Sequence, residues 1–148
     1  MAHDIITVNL KQEKDYRFAI EFGEGVPVLY GDETPPLGGG TGPNPAHLLA
    51  AAVGNCMSDS LLFALRKFKQ QPEPINAAVT ATIDRNEQNR LRVQEINVKL
   101  TLGVPGAGLA HLDRALGQFE EFCTVGQSVR QGIPVVVEVY DSEGARLK

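Results

Sequence analysis

Alternating apolar and polar positions open the chain. Ile6, Val8 and Leu10 fall on one side of a strand predicted over residues 5–10, and the polar Lys11–Asp15 reads as a turn. Phe18, Ile20 and Phe22 alternate again and predict a strand over 17–22, leaving Arg17 on the outward side. Gly23-Glu24-Gly25 is a turn signal and residues 26–30 form a short third strand, so the three read as an antiparallel meander. Residues 31–43, with Pro35-Pro36 and Gly38-Gly39-Gly40, read as loop.

The periodicity then changes. Asn44-Pro45 combines a helix N-cap with proline at the first helical position, and the helix is predicted to run to about Gln70, where Pro72 and Pro74 stop it. Its first half, Leu48 to Val53, is apolar nearly all round, the pattern of a buried helix. Ala77, Val79, Ala81 and Ile83 alternate in a strand over 75–85, and Asn86–Asn89 turns the chain back. In the returning strand, 91–102, the apolar set shifts from Leu91 and Val93 to Ile96, Val98, Leu100 and Leu102, which predicts a β-bulge near Gln94-Glu95. After a loop at 103–108, Leu112, Leu116 and Phe119 mark an amphipathic helix over 109–122. A short helix from Cys123 to Gly132 and a closing strand over 134–140 complete the chain, and no internal boundary interrupts its 148 residues, read as one domain, 1–148.

Composition narrows the function classes. With 43% hydrophobic residues the chain is globular, and at this length it buries roughly 68–70% of its unfolded surface. A net charge of −4 argues against a nucleic-acid partner, and the one basic cluster, Arg66, Lys67 and Lys69, reads as a solvated helix end. No stretch approaches the roughly 20 apolar residues of a membrane span, and the Met1–Ile6 start lacks the basic and apolar regions of a signal peptide. The expected compartment is the cytoplasm, with no membrane partner. No metal and no cofactor are expected: His3, His47 and His111 are scattered, and neither cysteine has a second ligand at zinc spacing. Gly38-Gly39-Gly40 lacks the lysine of a P-loop and the spacing of a dinucleotide fingerprint, so it reads as a connector.

Two cysteines remain, Cys56 inside the long helix and Cys123 at the start of the short one. Two readings are open: a redox pair, or two buried residues that simply pack.

The segments Gly42-Pro-Asn-Pro-Ala-His-Leu-Leu-Ala-Ala-Ala-Val-Gly-Asn-Cys56 and Cys123-Thr-Val-Gly-Gln-Ser-Val129 together resemble those of the OsmC/Ohr superfamily, the osmotically inducible and organic hydroperoxide resistance proteins. The order of elements is similar over nearly the whole chain. The resemblance implies an α+β fold, antiparallel sheets packed around a long central helix, in an intertwined homodimer with active sites at the interface. It implies a thiol peroxidase acting on organic hydroperoxides, with Cys56 as peroxidatic and Cys123 as resolving cysteine. The reductant would be a dithiol, lipoylated proteins included.

A reactive thiol needs a cation or a helix N-terminus beside it. Cys123 has the second; Cys56, three turns into its helix, would need an arginine, for which the resemblance points to Arg17. The family's peroxidases carry a glutamate ten positions before the cysteine to hold that arginine, and this chain has Ala46 there. His47 does not replace it by a simple shift, since nine helical positions put it about 180° from Cys56. Asp59, one turn after Cys56, is placed to orient a cation or to serve as a surface polar residue, and Glu120 and Glu121 read as solvated. Two functions follow: a dithiol peroxidase, or a non-peroxidase binding or redox-sensing protein that keeps the fold and thiols.

Overall fold

The computed structural model describes residues 4–133 and 135–148. Pro134, the expected first residue of the closing strand, and Met1-Ala2-His3 lie outside the described residues. The chain forms two compact units, Met1–Leu48 and Leu49–Lys148.

In the first unit, β1 (Asn9–Lys14), β2 (Arg17–Glu21) and β3 (Leu29–Gly31) form the expected antiparallel meander in the order β1-β2-β3. Its first strand is displaced from the prediction: residues 5–8 are not strand, and the polar run 11–14 is. Every residue of β1 is exposed, so hydrophobic burial leaves no alternation to read there. The strand is specified instead by its backbone ladder to β2, by the Lys11–Glu21 ion pair (3.1 Å), and by a tight turn that Asp15 closes in the left-handed region (φ 51°).

The loop after β3 is built around one carboxylate. Asp32, buried, accepts from the N–H groups of Glu33 (2.8 Å), Gly39 (3.2 Å) and Thr41 (3.1 Å) and from the Thr41 hydroxyl (2.8 Å). The backbone and hydroxyl donors of Thr41 lead the effects that hold its carboxyl below the usual aspartate range. A Cβ on Gly38 would lie 2.4 Å from that carboxylate, and Gly40 turns the chain at φ 65°, so the glycines let the backbone close round Asp32. Of the three glycine amides, Gly39 donates to Asp32, while Gly38 and Gly40 donate to the carbonyls of Thr34 (3.2 Å) and Glu33 (3.0 Å), so all three are taken up within the loop.

α1 (Pro45–Lys67) starts where the sequence places it. Asn44 Oδ1 accepts from His47 N–H (2.9 Å) and His47 Nδ1 accepts from Asn44 N–H (3.2 Å), a reciprocal cap in which the histidine takes the usual place of glutamate. The helix ends three residues before Gln70, because Phe68 and Gln70 return their N–H groups to Leu65 O and Lys69 turns left-handed at φ 60°. α1 is long and apolar enough to cross a membrane by length and composition only, a match that the sequence reading did not make. In the second unit its apolar residues serve a core. Val53, Met57, Leu61, Ala64 and Leu65, spaced three and four apart, pack with Ile96, Val98, Leu100 and Leu102 of the following hairpin. Ala51 and Ala52 are exposed, so the apolar stretch before Val53 is not enclosed as expected.

β4 (Asn76–Arg85) and β5 (Leu91–Thr101) pair antiparallel, and their register skips Gln94, which is the predicted bulge. β6 (Val135–Tyr140) pairs with β5 in parallel, so this sheet, ordered β4-β5-β6, is mixed and not purely antiparallel. The helical segment between them makes the long crossover that a parallel neighbour requires. That segment is not one helix over 109–122. A 3-10 turn at Gly106–Gly108, α2 (Leu112–Gln118) and a 3-10 turn at Phe119–Phe122 share it, with His111 left-handed at φ 58° before α2. α3 (Thr124–Arg130) follows.

Gly54 is the close approach of α1 to the sheet: a Cβ there would meet Val79 Cγ2 at 2.4 Å. Gly54→Ala is expected to destabilise the protein by about 1–3 kcal/mol through overpacking, exceeding the helix-propensity gain of about 1 kcal/mol. Urea denaturation measures it, and adding Val79→Ala recovers most of the loss; a stabilised single variant contradicts the packing.

Candidate active site

The core face of α1 fixes the site. Met57 and Leu61 are buried to the limit, which turns the adjacent Cys56 to the edge of the core, where it is half-buried. Ser60, one turn on, is buried. On the other side, the 3-10 turn at Phe119–Phe122 anchors Phe119 in the core and delivers Cys123, fully buried, as the N-cap residue of α3.

The first turn of α3 then serves both sulfurs. Gly126 N–H donates to Cys123 Sγ at 3.2 Å, and Val125 N–H donates to Cys56 Sγ at 3.4 Å. These are two of the four amides that a helix start leaves without intrahelical partners. The expectation that only Cys123 meets a helix N-terminus is therefore corrected: the N-terminus that reaches Cys56 belongs to α3, not to its own helix. Both thiols are free. Burial first, then the adjacent Cys56 thiol, pushes the Cys123 thiol up to about 11, against opposing hydrogen bonds from Gly126 N–H and the Ser60 hydroxyl. Gly126 is needed for this approach: a Cβ there would lie 2.7 Å from Cys123 Sγ and 2.9 Å from Met57 Cε.

Outside Cys56 lies an open cleft of about 300 Å³, lined by Cys56, Asp59, Ser60, Phe63 and Phe122. The two phenylalanines are 63% and 62% exposed, large apolar surfaces beside a thiol. Asp59 accepts from Asn55 Nδ2 at 3.0 Å along the same helix and pairs with no cation among the described residues. Glu120 is not solvated as expected. Arg130 Nη2 (2.7 Å) and Lys148 Nζ both reach it, and although burial opposes ionisation, hydrogen bonds from these two cations hold its carboxyl below the usual range. Glu121 is exposed.

Arg17 belongs to the first unit. Its Nε donates to Glu13 Oε1 (2.8 Å), its Nη1 donates to Thr41 Oγ1 (2.7 Å), and its guanidinium carbon stands 4.4 Å from the Tyr30 ring centroid. Among the described residues no cluster of three or more His, Cys, Asp or Glu is arranged to hold a metal ion.

Residues 38–138 match the family described as OsmC-like protein. The chain belongs to the OsmC-like protein family. Its fold is similar to that of an OsmC-like protein from Mycoplasma pneumoniae (13% identity, 95% of this chain and 99% of that one, TM-score 0.78). An organic hydroperoxide resistance protein from Elizabethkingia anophelis is also similar (16%, 95% and 100%, 0.73), as is the organic hydroperoxide resistance protein OhrB of Bacillus subtilis (15%, 92% and 98%, 0.69). None of the curated proteins matches the chain.

The structure brings together the two cysteines that the sequence singled out and sets beside them Ser60, which the sequence reading did not name and whose signal was its helical spacing of four from Cys56. The sequence reading also missed the Val125 amide, a backbone donor that no side-chain pattern announces.

The Cys123 thiol gives a pH prediction with a definite sign. The folded protein holds this proton up to about pH 11, against 9.0 for the ordinary thiol, so its contribution to stability is complete below pH 9. Between those values the unfolded chain releases the proton first, and stability falls as pH rises. The thermal midpoint of the reduced protein should therefore drop more steeply from pH 9 to 11 than that of Cys123→Ser. Parallel profiles contradict the assignment.

Proposed function

We propose that this OsmC-like protein is a thiol-dependent peroxidase that reduces organic hydroperoxides through Cys56 and Cys123. The observation that carries the reading is the meeting of the two sulfurs at the first turn of α3: one thiol open to a cleft, the other buried behind it. Cys56, as thiolate, attacks the terminal oxygen of the hydroperoxide. The O–O bond breaks, the alkoxide takes a proton and leaves as alcohol, and Cys56 becomes a sulfenic acid. Cys123 then attacks that sulfur, water leaves, and a Cys56–Cys123 disulfide forms. A dithiol, a lipoylated protein included, returns both cysteines to thiols by exchange.

The roles follow from access. An oxidant reaches the half-exposed Cys56 before the buried Cys123, and Phe63 and Phe122 offer an apolar wall to the organic part of the substrate. An amide aimed at a sulfur is a donor that an anionic sulfur accepts strongly. Arg17 is the proposed cation, on the strength of the family resemblance. A homodimer is proposed as the working form, supported by the exposure of Phe63, Leu91 and Phe122. The proposed compartment is the cytoplasm.

One observation favours a second reading, a binding or redox-sensing protein: among the described residues the cleft lining contains one carboxylate, Asp59, and no cation. Stoichiometric cumene or tert-butyl hydroperoxide separates the two. For the peroxidase, mass spectrometry shows loss of two hydrogens within seconds and a Cys56–Cys123 disulfide. Cys56→Ser abolishes the reaction, and Cys123→Ser stops at an oxygenated Cys56. Slow oxidation with no preference between the thiols contradicts the enzyme.

A further inference from the structure

A strand arginine on a protein surface ordinarily has one partner or none, because an exposed ion pair contributes little against the freedom of a long side chain. Arg17 is held from three sides. Glu13 on β1 takes Nε, Thr41 on the loop before α1 takes Nη1, and the Tyr30 ring on β3 faces the guanidinium plane. Behind Thr41 stands the buried carboxylate of Asp32. The Thr41 hydroxyl donates its proton to Asp32 Oδ2 (2.8 Å), which leaves its oxygen lone pairs pointing at Arg17. A hydroxyl whose proton is already committed is an acceptor for a guanidinium and nothing else. Asp32 is in turn immobilised by the N–H groups of Glu33, Gly39 and Thr41. The chain Asp32–Thr41–Arg17 is therefore continuous, and its far end is fixed by backbone.

We propose that Thr41, backed by Asp32, is a positioning residue for Arg17: it fixes the direction of the guanidinium, which Glu13 alone leaves free to pivot about one contact. The proposal deepens the peroxidase reading and rests on its assignment of Arg17 as the cation that assists Cys56. The charged and titratable groups around the guanidinium are Glu13, the exposed Lys14 opposite Arg17 in the strand register, Tyr30, and Asp32 through Thr41. Thr41→Val leaves Glu13, Lys14 and Tyr30 unaltered; it removes the hydroxyl donor to Asp32 and keeps the Thr41 N–H bond to that carboxylate.

The test measures Cys56 alkylation by iodoacetamide at pH 7 and pH 10, with Cys123→Ser as the background so that one thiol reports. Arg17→Ala should slow the reaction about tenfold at pH 7 and Thr41→Val about threefold, because each weakens the charge interaction that favours the thiolate. Both deficits should vanish at pH 10, where alkali replaces that help, and Thr41→Ser should restore the native rate. A deficit in Arg17→Ala with none in Thr41→Val overturns the positioning role and leaves the Arg17 assignment standing. No deficit in Arg17→Ala removes that assignment and the proposal with it. An equal deficit at both pH values, with a lowered thermal midpoint, shows that Thr41 serves only loop stability and also overturns the proposal.

Discussion

Two backbone amides at the start of α3 organise the surroundings of both cysteines. A helix start must place its first N–H groups somewhere, and burial next to the core leaves little water to take them. Here Val125 and Gly126 give theirs to sulfur, one to each cysteine. Neither sulfur is held by its own element alone: Cys56 is carried by α1 and reached from α3, while Cys123 caps α3 and lies beside Cys56 of α1. The juxtaposition depends on a rigid core behind it, with Met57, Leu61 and Phe119 fully buried, and on the missing side chain of Gly126. A methyl group at that position would push between Cys123 and Met57.

The asymmetry of the two thiols comes from the same packing. Cys123 is sealed in apolar surroundings that keep it protonated, and Cys56 borders a cleft walled by two aromatic rings. In the proposed peroxidase, the first is the thiol that waits and the second the thiol that meets substrate. In the first unit, electrostatics are organised by a different device, a buried aspartate that gathers the glycine loop and, through Thr41, fixes an arginine. Where the resemblance leads one to expect a glutamate at position 46, this chain has Ala46, and Glu13 and Thr41 are the groups that hold Arg17.

The elements legible in the sequence were those whose burial imposes a period. The β4–β5 hairpin showed its alternation and even its bulge at Gln94, and Asn44-Pro45 announced α1. β1 was misplaced because both of its faces are exposed, so its residues answer to a backbone ladder and not to a core. The direction of β6 leaves no trace in its own composition; it follows from the crossover through α2 and α3. The expected helix over 109–122 broke where His111 adopts a left-handed backbone, a choice its residue type does not compel. In the site, the cysteines were visible and their donors were not. Glu120 read as solvated until the structure set two cations against it, and Asp32, in a stretch read only as loop, carried no signal of the amides that surround it.

The claim at the centre is that folding prepares these two sulfurs to bond. The most direct measurement is a crystal structure of the protein after one equivalent of an organic hydroperoxide. The account predicts continuous density between Cys56 Sγ and Cys123 Sγ at about 2.05 Å, with α1 and the 3-10 turn at Phe119–Phe122 in place. Oxygen atoms added to Cys56 beside an unchanged Cys123 thiol would contradict it.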